Sequence, residues 1–238
     1  AAVGLAAASV SVGVALAQNS INNDVKAYVS SAILTATTLT ISALEEATIT
    51  SLSEAASAAV AAGIFSIAIS GGGASSINSI TTSVYASAGG TLTISGDLSV
   101  TAKDVSTATA NVLAASAAGG LISFSSAGSV ATVSVSPTVR ATIGANSNIQ
   151  ATNLTVTSQT ESSADTQTAG VSTGTLAVAV STAGATVSPT LETSVGSNAL
   201  INATGDITLQ SLHNRNANGT YIFKGANALA TAPAGGLI

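Results

Sequence analysis

Cysteine, methionine and tryptophan are absent from this chain of 238 residues, and proline occurs three times. Without cysteine there is no disulfide framework, no thiolate zinc site and no cysteine nucleophile. Charge is scarce as well. Asp, Glu, Lys and Arg together make up 6% of the residues, against about 25% in an ordinary globular domain. The five cations, Lys26, Lys103, Arg140, Arg215 and Lys224, are scattered under a net charge of -5. No basic stripe is available to neutralise phosphates, so nucleic acid is not an expected partner. No uninterrupted apolar run reaches the ~18 residues of a membrane-spanning helix; the alanine-rich stretch 55–70 is broken by serines and by Gly63.

What remains is alanine, serine, threonine, valine and glycine. A hydrophobic content of 46% with little net charge does not describe a disordered chain, which needs low hydrophobicity and high net charge. It suits a regular structure of small side chains in tight layers. The opening "AAVGLAAASVSVGVALAQN" resembles a signal-peptide core ending in Ala15-Leu16-Ala17. It lacks a basic segment and matches later internal segments, so it reads as a repeat rather than a leader.

Three landmarks recur along the chain in the same order. A small residue followed by Leu or Ile appears as Gly4-Leu5, Gly63-Ile64, Gly120-Leu121, Thr175-Leu176 and Gly236-Leu237, at intervals of 59, 57, 55 and 61 residues. A second series runs Leu39, Leu98, Leu154, Ile207, and a third is centred on Val25, Val84, Val139 and Leu191. Three series with one period indicate internal repeats. The expected units are 5–63, 64–120, 121–175 and 176–236, one continuous array over 1–238 and a segment of a longer chain; the stretch from His213 to Ala234 departs most from the pattern.

Within each unit, apolar and polar residues alternate. In "LTVTS", Leu154 and Val156 face one way while Thr155 and Thr157 face the other, the period of a strand. The segment 45–63 carries alanine and glutamate, but its counterparts are rich in Thr, Ser and Val, so it is read as strand too. Glycines, asparagines and the pairs Ser136-Pro137 and Ser188-Pro189 mark corners. The expected fold is therefore all-β: a parallel β-solenoid (β-helix) built from four repeats of about 57 residues. Each repeat is either one very wide coil or about three coils of ~19 residues; the sequence leaves both open.

"GVALAQNSINNDVKAYVSSAILTATTLTISA" (13–43) resembles the repeats of giant bacterial surface proteins, of the filamentous-haemagglutinin-like and autotransporter-adhesin kinds. Asn19, Val25, Ala27, Tyr28 and the segments "TLTISA" and "GDLSVTA" carry the resemblance; later units replace the tyrosine by Thr142 and Ser194. It implies secretion to the cell surface, a β-solenoid stalk and an adhesive or scaffolding role, with a host or neighbouring cell surface as partner. Low charge and exposed small apolar residues favour lateral self-association, and unpaired strand edges favour stacking end to end; neither an enzyme activity nor a cofactor is expected from the residues present.

Chemistry-bearing residues are few. Gly170-Val171-Ser172-Thr173-Gly174 fits the G-x-S-x-G pattern that presents a nucleophilic serine. A hydrolase also needs a base, and the one histidine, His213, lies in a polar corner with no motif linking the two. Counted from the Leu/Ile landmark, Ser172 falls opposite Ala117, outside the repeating design; Gly170 falls opposite Ala115, and Gly174 at the corner position of Gly119 and Gly235. Arg215 is a weak candidate for a ligand contact. Asp97 and Asp206 sit at equivalent corners, Glu45-Glu46 has no matched carboxylate for glycoside hydrolysis, and Gly71-Gly72-Gly73 lacks a phosphate-loop context and reads as a flexible corner. No catalytic, cofactor or metal residue is assigned. The remaining candidate is a surface hydroxyl ladder of Thr40, Thr101, Thr155, Thr157 and Thr208, which would support an alternative function as an ice- or glycan-binding solenoid.

Overall fold

Period-two alternation governs the whole chain in the computed structural model, which describes residues 1–216 and 218–236. Along Leu39–Ala62 every second residue from Ile41 to Ala61 is buried and those between are exposed. The strands in chain order are β1 (Ala2–Val3), β2 (Ala6–Ile21), β3 (Asp24–Ala36), β4 (Leu39–Ala62), β5 (Phe65–Ile80) and β6 (Ser83–Ile94). They continue with β7 (Asp97–Gly119), β8 (Ile122–Val135), β9 (Thr138–Ile143), β10 (Asn148–Ala151), β11 (Asn153–Gly174) and β12 (Leu176–Val187). The last are β13 (Thr190–Val195), β14 (Leu200–Ala203), β15 (Ile207–His213), β16 (Ala226–Thr231) and β17 (Ala234–Gly236). There is no helix among the described residues, so segment 45–63 is strand as its counterparts required.

The strands form three sheets. Sheet I holds β1, β4, β7 and β11, then β15, β16 and β17 against β11; sheet II holds β2, β5, β8 and β12; sheet III holds β3, β6, β9, β10, β13 and β14. Every pairing between these strands is parallel. The chain visits the sheets in a fixed order, I, II, III, and returns to I one strand further on. This is an all-β, parallel-sheet architecture consistent with a β-solenoid.

Register settles the coil width. Leu39, Leu98, Leu154 and Ile207 are direct neighbours across sheet I, and Val25, Val84, Val139 and Leu191 across sheet III. Paired residues lie between 52 residues apart (Phe124 and Leu176) and 62 apart (Ala164 and Ala226). One pass around the three sheets therefore consumes a whole period, which excludes three short coils. The 23 residues of β7 make that pass roughly 75 Å wide at ~3.3 Å per residue.

The landmarks fall where the chain bends. Gly4-Leu5, Gly63-Ile64, Gly120-Leu121 and Thr175 separate sheet I from sheet II, and Ser136-Pro137 and Ser188-Pro189 separate sheet II from sheet III; Leu237 lies outside the described residues. Sheet III bends at a left-handed residue in each pass: Ser31 (φ 54°), Gly90 (φ 108°), Asn146 (φ 55°) and Asn198 (φ 56°). Asn and Gly tolerate that conformation best; Ser31 occupies it inside a bulge between Val29 and Ala32.

The interior tapers. Between sheets I and III it is filled by Leu92, Ile94, Leu98, Val100, Val139, Ile143, Ile149, Leu154 and Val156. Between sheets I and II it narrows to Ala59, Ala61 and Ala68 near the Gly63 corner. Here the sequence expectation for Gly71-Gly72-Gly73 is overturned: the triplet lies inside β5, not at a corner. A Cβ on Gly72 would sit 2.5 Å from the Ala115 carbonyl oxygen, and one on Gly13 would sit 2.4 Å from that of Ala56. Glycine is there because the opposing backbone leaves no room for a side chain.

Candidate functional site

Ser172 is fully buried. β11 pairs it with Ser116, and β7 pairs Ser116 with Ser57, so the expected alignment with Ala117 is wrong by one residue. Its hydroxyl belongs to a repeating file after all. Ser70 and Ser125 of sheet II face that file. Ser172 Oγ donates to Ser125 Oγ (2.8 Å), Ser125 donates to Ser116 (2.9 Å), and Ser57 and Ser70 share a 2.8 Å bond. Gly170 pairs with Ala114 rather than Ala115, and space there is short: an added Cβ would lie 3.0 Å from the Val180 carbonyl oxygen. Gly174 pairs with Gly236, not Gly235. The motif that resembles a nucleophile elbow thus runs through an extended strand whose serine points into a narrow hydroxyl-lined interior.

A second sealed polar group lies where sheet I faces the corner between sheets II and III. Glu45, Asp104 and Thr160 form one inward file, and Asp104 is fully buried. Burial pushes its carboxyl up from the ordinary value of 3.8, hydroxyl donors Thr82 (2.6 Å), Ser106 (2.9 Å) and Thr160 (3.2 Å) draw it back, and the nearby Glu45 raises it again. Asn23 donates to Glu45 at 2.7 Å. Glu46 points outward from the same strand, so the two glutamates face opposite sides of the sheet.

The candidate surface ladder separates into two outward files on sheet I. Thr40, Ser99, Thr155 and Thr208 form one; Ser42, Thr101, Thr157 and Gln210 form the other. Thr40 and Thr208 are exposed and Thr155 and Thr101 half-buried. Thr157 is buried, covered by Gln210, whose Nε2 donates to Thr157 Oγ1 at 3.2 Å. The five threonines are therefore not one flat, open ladder. Asp97 and Asp206 do occupy equivalent corners, bridged by Asn153, which donates to the Asp97 carboxylate (2.8 Å) and accepts from the Asp206 amide (2.9 Å).

His213 closes β15 as an exposed strand residue rather than a corner residue, and desolvation lowers its pKa. Beyond it the register against β11 jumps, because nine extra residues loop out between β15 and β16. Arg215 is tied into this loop by a 2.8 Å bond to the Gly219 carbonyl. Asn214 anchors the loop by accepting from the Ser162 amide (2.8 Å). Lys224 and Lys103 both reach Glu161, at 3.4 and 2.8 Å; burial works against the Glu161 charge, yet the two ammonium groups hold its carboxyl below the ordinary range. Tyr221 and Phe223 pack edge to face at 6.0 Å beside a shallow cleft of about 430 Å³ that also touches Asp165. Sequence reasoning marked this stretch as irregular but singled out none of Tyr221, Phe223 and Lys224; their signal was clustering, in a chain with six Tyr and Phe in all.

The three outer faces differ in charge. Sheet III displays Lys26, Tyr85, Arg140 and Glu192 in one file, with Arg140 and Glu192 paired at 3.2 Å. Sheet I displays Glu46, Glu54, Lys103, Glu161 and Asp165. Sheet II carries no ionisable side chain at all. No protein-family model, curated protein or solved structure matches the chain.

Proposed function

We propose that the chain is a structural segment of a secreted bacterial surface protein, built of four repeats and serving as a β-solenoid stalk, fibre or adhesin scaffold rather than as an enzyme. One observation carries the reading. The parallel ladders run from pass to pass in register, and the outermost strands, β2 and β3 at one end and β12, β13 and β14 at the other, each have a single strand neighbour. Such edges pair readily with further strands, so coils or copies stacked at ~4.8 Å would extend the ladders. The sealed positions of Ser172 and Asp104 favour a structural reading, as does the resemblance of segment 13–43 to adhesin repeats. A host or neighbouring cell surface is the partner this role implies.

The test is immunogold electron microscopy of the producing cells with antibody raised against the folded segment. Label on the outer surface, on fibres or stalks, is expected; label confined to the cell interior overturns the proposal. The alternative reading, ice or glycan binding through the threonines, is weakened by the cover over Thr157. Its decisive variant is Thr155→Lys, which should abolish any such binding.

A further inference from the structure

Sheet II is inside out. Its inward positions carry small or hydroxyl side chains such as Ser66, Ser70, Ser123, Ser125 and Ser129, all buried. In the part nearest the Gly63 and Gly120 corners its outward positions carry the bulky apolar ones; further along, Ile80, Val133 and Val135 turn inward and Ser79, Thr132 and Ser134 outward. The taper explains the inversion: the narrow end of the interior admits only Ala, Ser and Gly, so strand alternation turns Val, Ile, Leu and Phe toward solvent. In the isolated chain Leu16 is 79% exposed, Val12 73% and Phe124 44%.

The apolar part of this face is at the top of the range of about 300–600 Å² for the largest patch on a monomer, a size that is often functional. Its four strands, over Ile67–Ser75 and the paired Ile122–Val130, span roughly 19 by 30 Å, about 570 Å² in plan; beyond them the outward residues include Ser79, Thr132, Ser134 and Thr182. That is the area of a small interface, below the about 800 Å² per partner of a standard one. The face also has relief. Val10, Ile69, Phe124 and Leu176 form a ridge across the strands. Two residues and four residues further along, Gly71, Gly73 and Gly128 leave a socket; a Cβ on Gly73 or Gly128 would meet nothing within 4 Å.

We propose that this face binds a second copy of the chain, face to face about a two-fold axis passing near Ser126, so that Phe124 of each copy enters the socket over Gly128 of the other. Ridge and socket lie on the same strand four residues apart, so one two-fold operation satisfies both at once, as an isologous interface requires. Nothing opposes the approach, because neither copy brings a charge to it. A lipid surface is the poorer occupant: membrane-surface faces carry Lys or Arg on their flanks, and β2, β5, β8 and β12 have none. The inference deepens the structural reading above, supplying the lateral contact between stalks.

Sedimentation velocity from about 1 to 100 µM tests it. The wild-type chain is expected to be dimeric, and Phe124→Glu and Gly128→Glu should each weaken the dimer by at least ~100-fold. Leu113→Glu, on the outer face of sheet I, should leave it intact. Both test positions point outward, and circular dichroism checks that β structure is kept; if Phe124→Glu does not fold, Gly128→Glu decides. A wild-type monomer at the highest concentration overturns the proposal, as does a dimer insensitive to both substitutions. Monomers that instead adsorb to phosphatidylcholine vesicles also overturn it and identify a lipid occupant. Fibres whose side-by-side pairing persists in both Phe124→Glu and Gly128→Glu would defeat this inference and leave the stalk reading standing, whereas intracellular immunogold label would do the reverse.

Discussion

Replacing Ser116 by alanine removes the acceptor on which the hydroxyl chain Ser172–Ser125–Ser116 ends. Ser125 would keep its proton with no partner, in a site where Ser116 and Ser125 are each 4% exposed. An orphaned buried donor costs about 1–3 kcal/mol, and reversing the chain does not help, because it moves the orphan to Ser172, which is 0% exposed. Ser172→Ala is different. It removes the terminal donor and leaves the Ser125 proton on Ser116, so its cost should be about 0.5–1.5 kcal/mol, that of one net hydrogen bond. Removing all three hydroxyls deletes partners together, so the triple alanine variant should cost less than the sum of the singles, with a coupling of about 1 kcal/mol.

Urea unfolding followed by circular dichroism resolves these differences, and a cost of ~2 kcal/mol for Ser116→Ala corresponds to a thermal midpoint lower by ~4–8 °C for a chain of this size. Equal costs for Ser116→Ala and Ser172→Ala, or strict additivity within ~0.5 kcal/mol, would refute the directional chain. The same samples carry a chemical check. A fluorophosphonate probe should leave Ser172 unlabelled in the folded protein, and labelling there would show that the interior opens.

Leu154→Ala, in the inward file of Leu98 and Ile207, should destabilise by about 2–5 kcal/mol, as truncation of a fully buried leucine does; a loss under ~1 kcal/mol would mean that this core is not packed as described. Asp104→Asn tests the raised carboxyl. The folded chain holds the Asp104 proton more tightly than the unfolded chain, so stability is fullest below the ordinary carboxyl value and falls as pH rises through the folded one. The asparagine variant should therefore melt higher than wild type at pH ~7 with a flatter pH profile, and identical profiles would contradict the assignment. Thr168→Val should stabilise by about 1 kcal/mol in denaturant unfolding, because the buried Thr168 hydroxyl has no partner among the described residues and its file neighbour is Val112. Gly72→Ala should cost at least ~1 kcal/mol, since its Cβ must displace the Ala115 carbonyl; unchanged stability would mean that the sheets are further apart.

The inward files were legible in the sequence because large buried residues cannot drift: Leu39, Leu98, Leu154 and Val25, Val84, Val139 keep their order whatever happens at the corners. The phase of the serine file was not legible, and the reason is local. Two residues, Gly120-Leu121, turn β7 into β8, whereas Thr175 alone turns β11 into β12. Counting back from Leu176 therefore slips by one, and in a strand a slip of one residue exchanges inside for outside. The glycine triplet misled for a related reason. Three glycines normally mark a turn, but alternation makes Gly72 a close approach on the inside while Gly71 and Gly73 open a socket on the outside.

The polarity of sheet II was hidden for a different reason. Alternation tells which residues share a face, and composition normally tells which face is buried, because bulky apolar residues go inside. That inference fails where the cavity is too narrow for them. "TLAVAVS" reads as Leu176, Val178 and Val180 buried over exposed alanines, yet in the structure these three are exposed while Ala177 and Ala179 turn inward. The width of the interior is set by the opposing sheet, through contacts such as Gly72 on Ala115 and Gly170 on Val180, and those join residues that lie far apart along the chain or on different sheets. A taper of this kind moves reactive groups and bulky groups in opposite directions. Hydroxyls are drawn inward, where Ser172 is sealed from any substrate, and apolar surface is forced outward, where it can act only by meeting another surface.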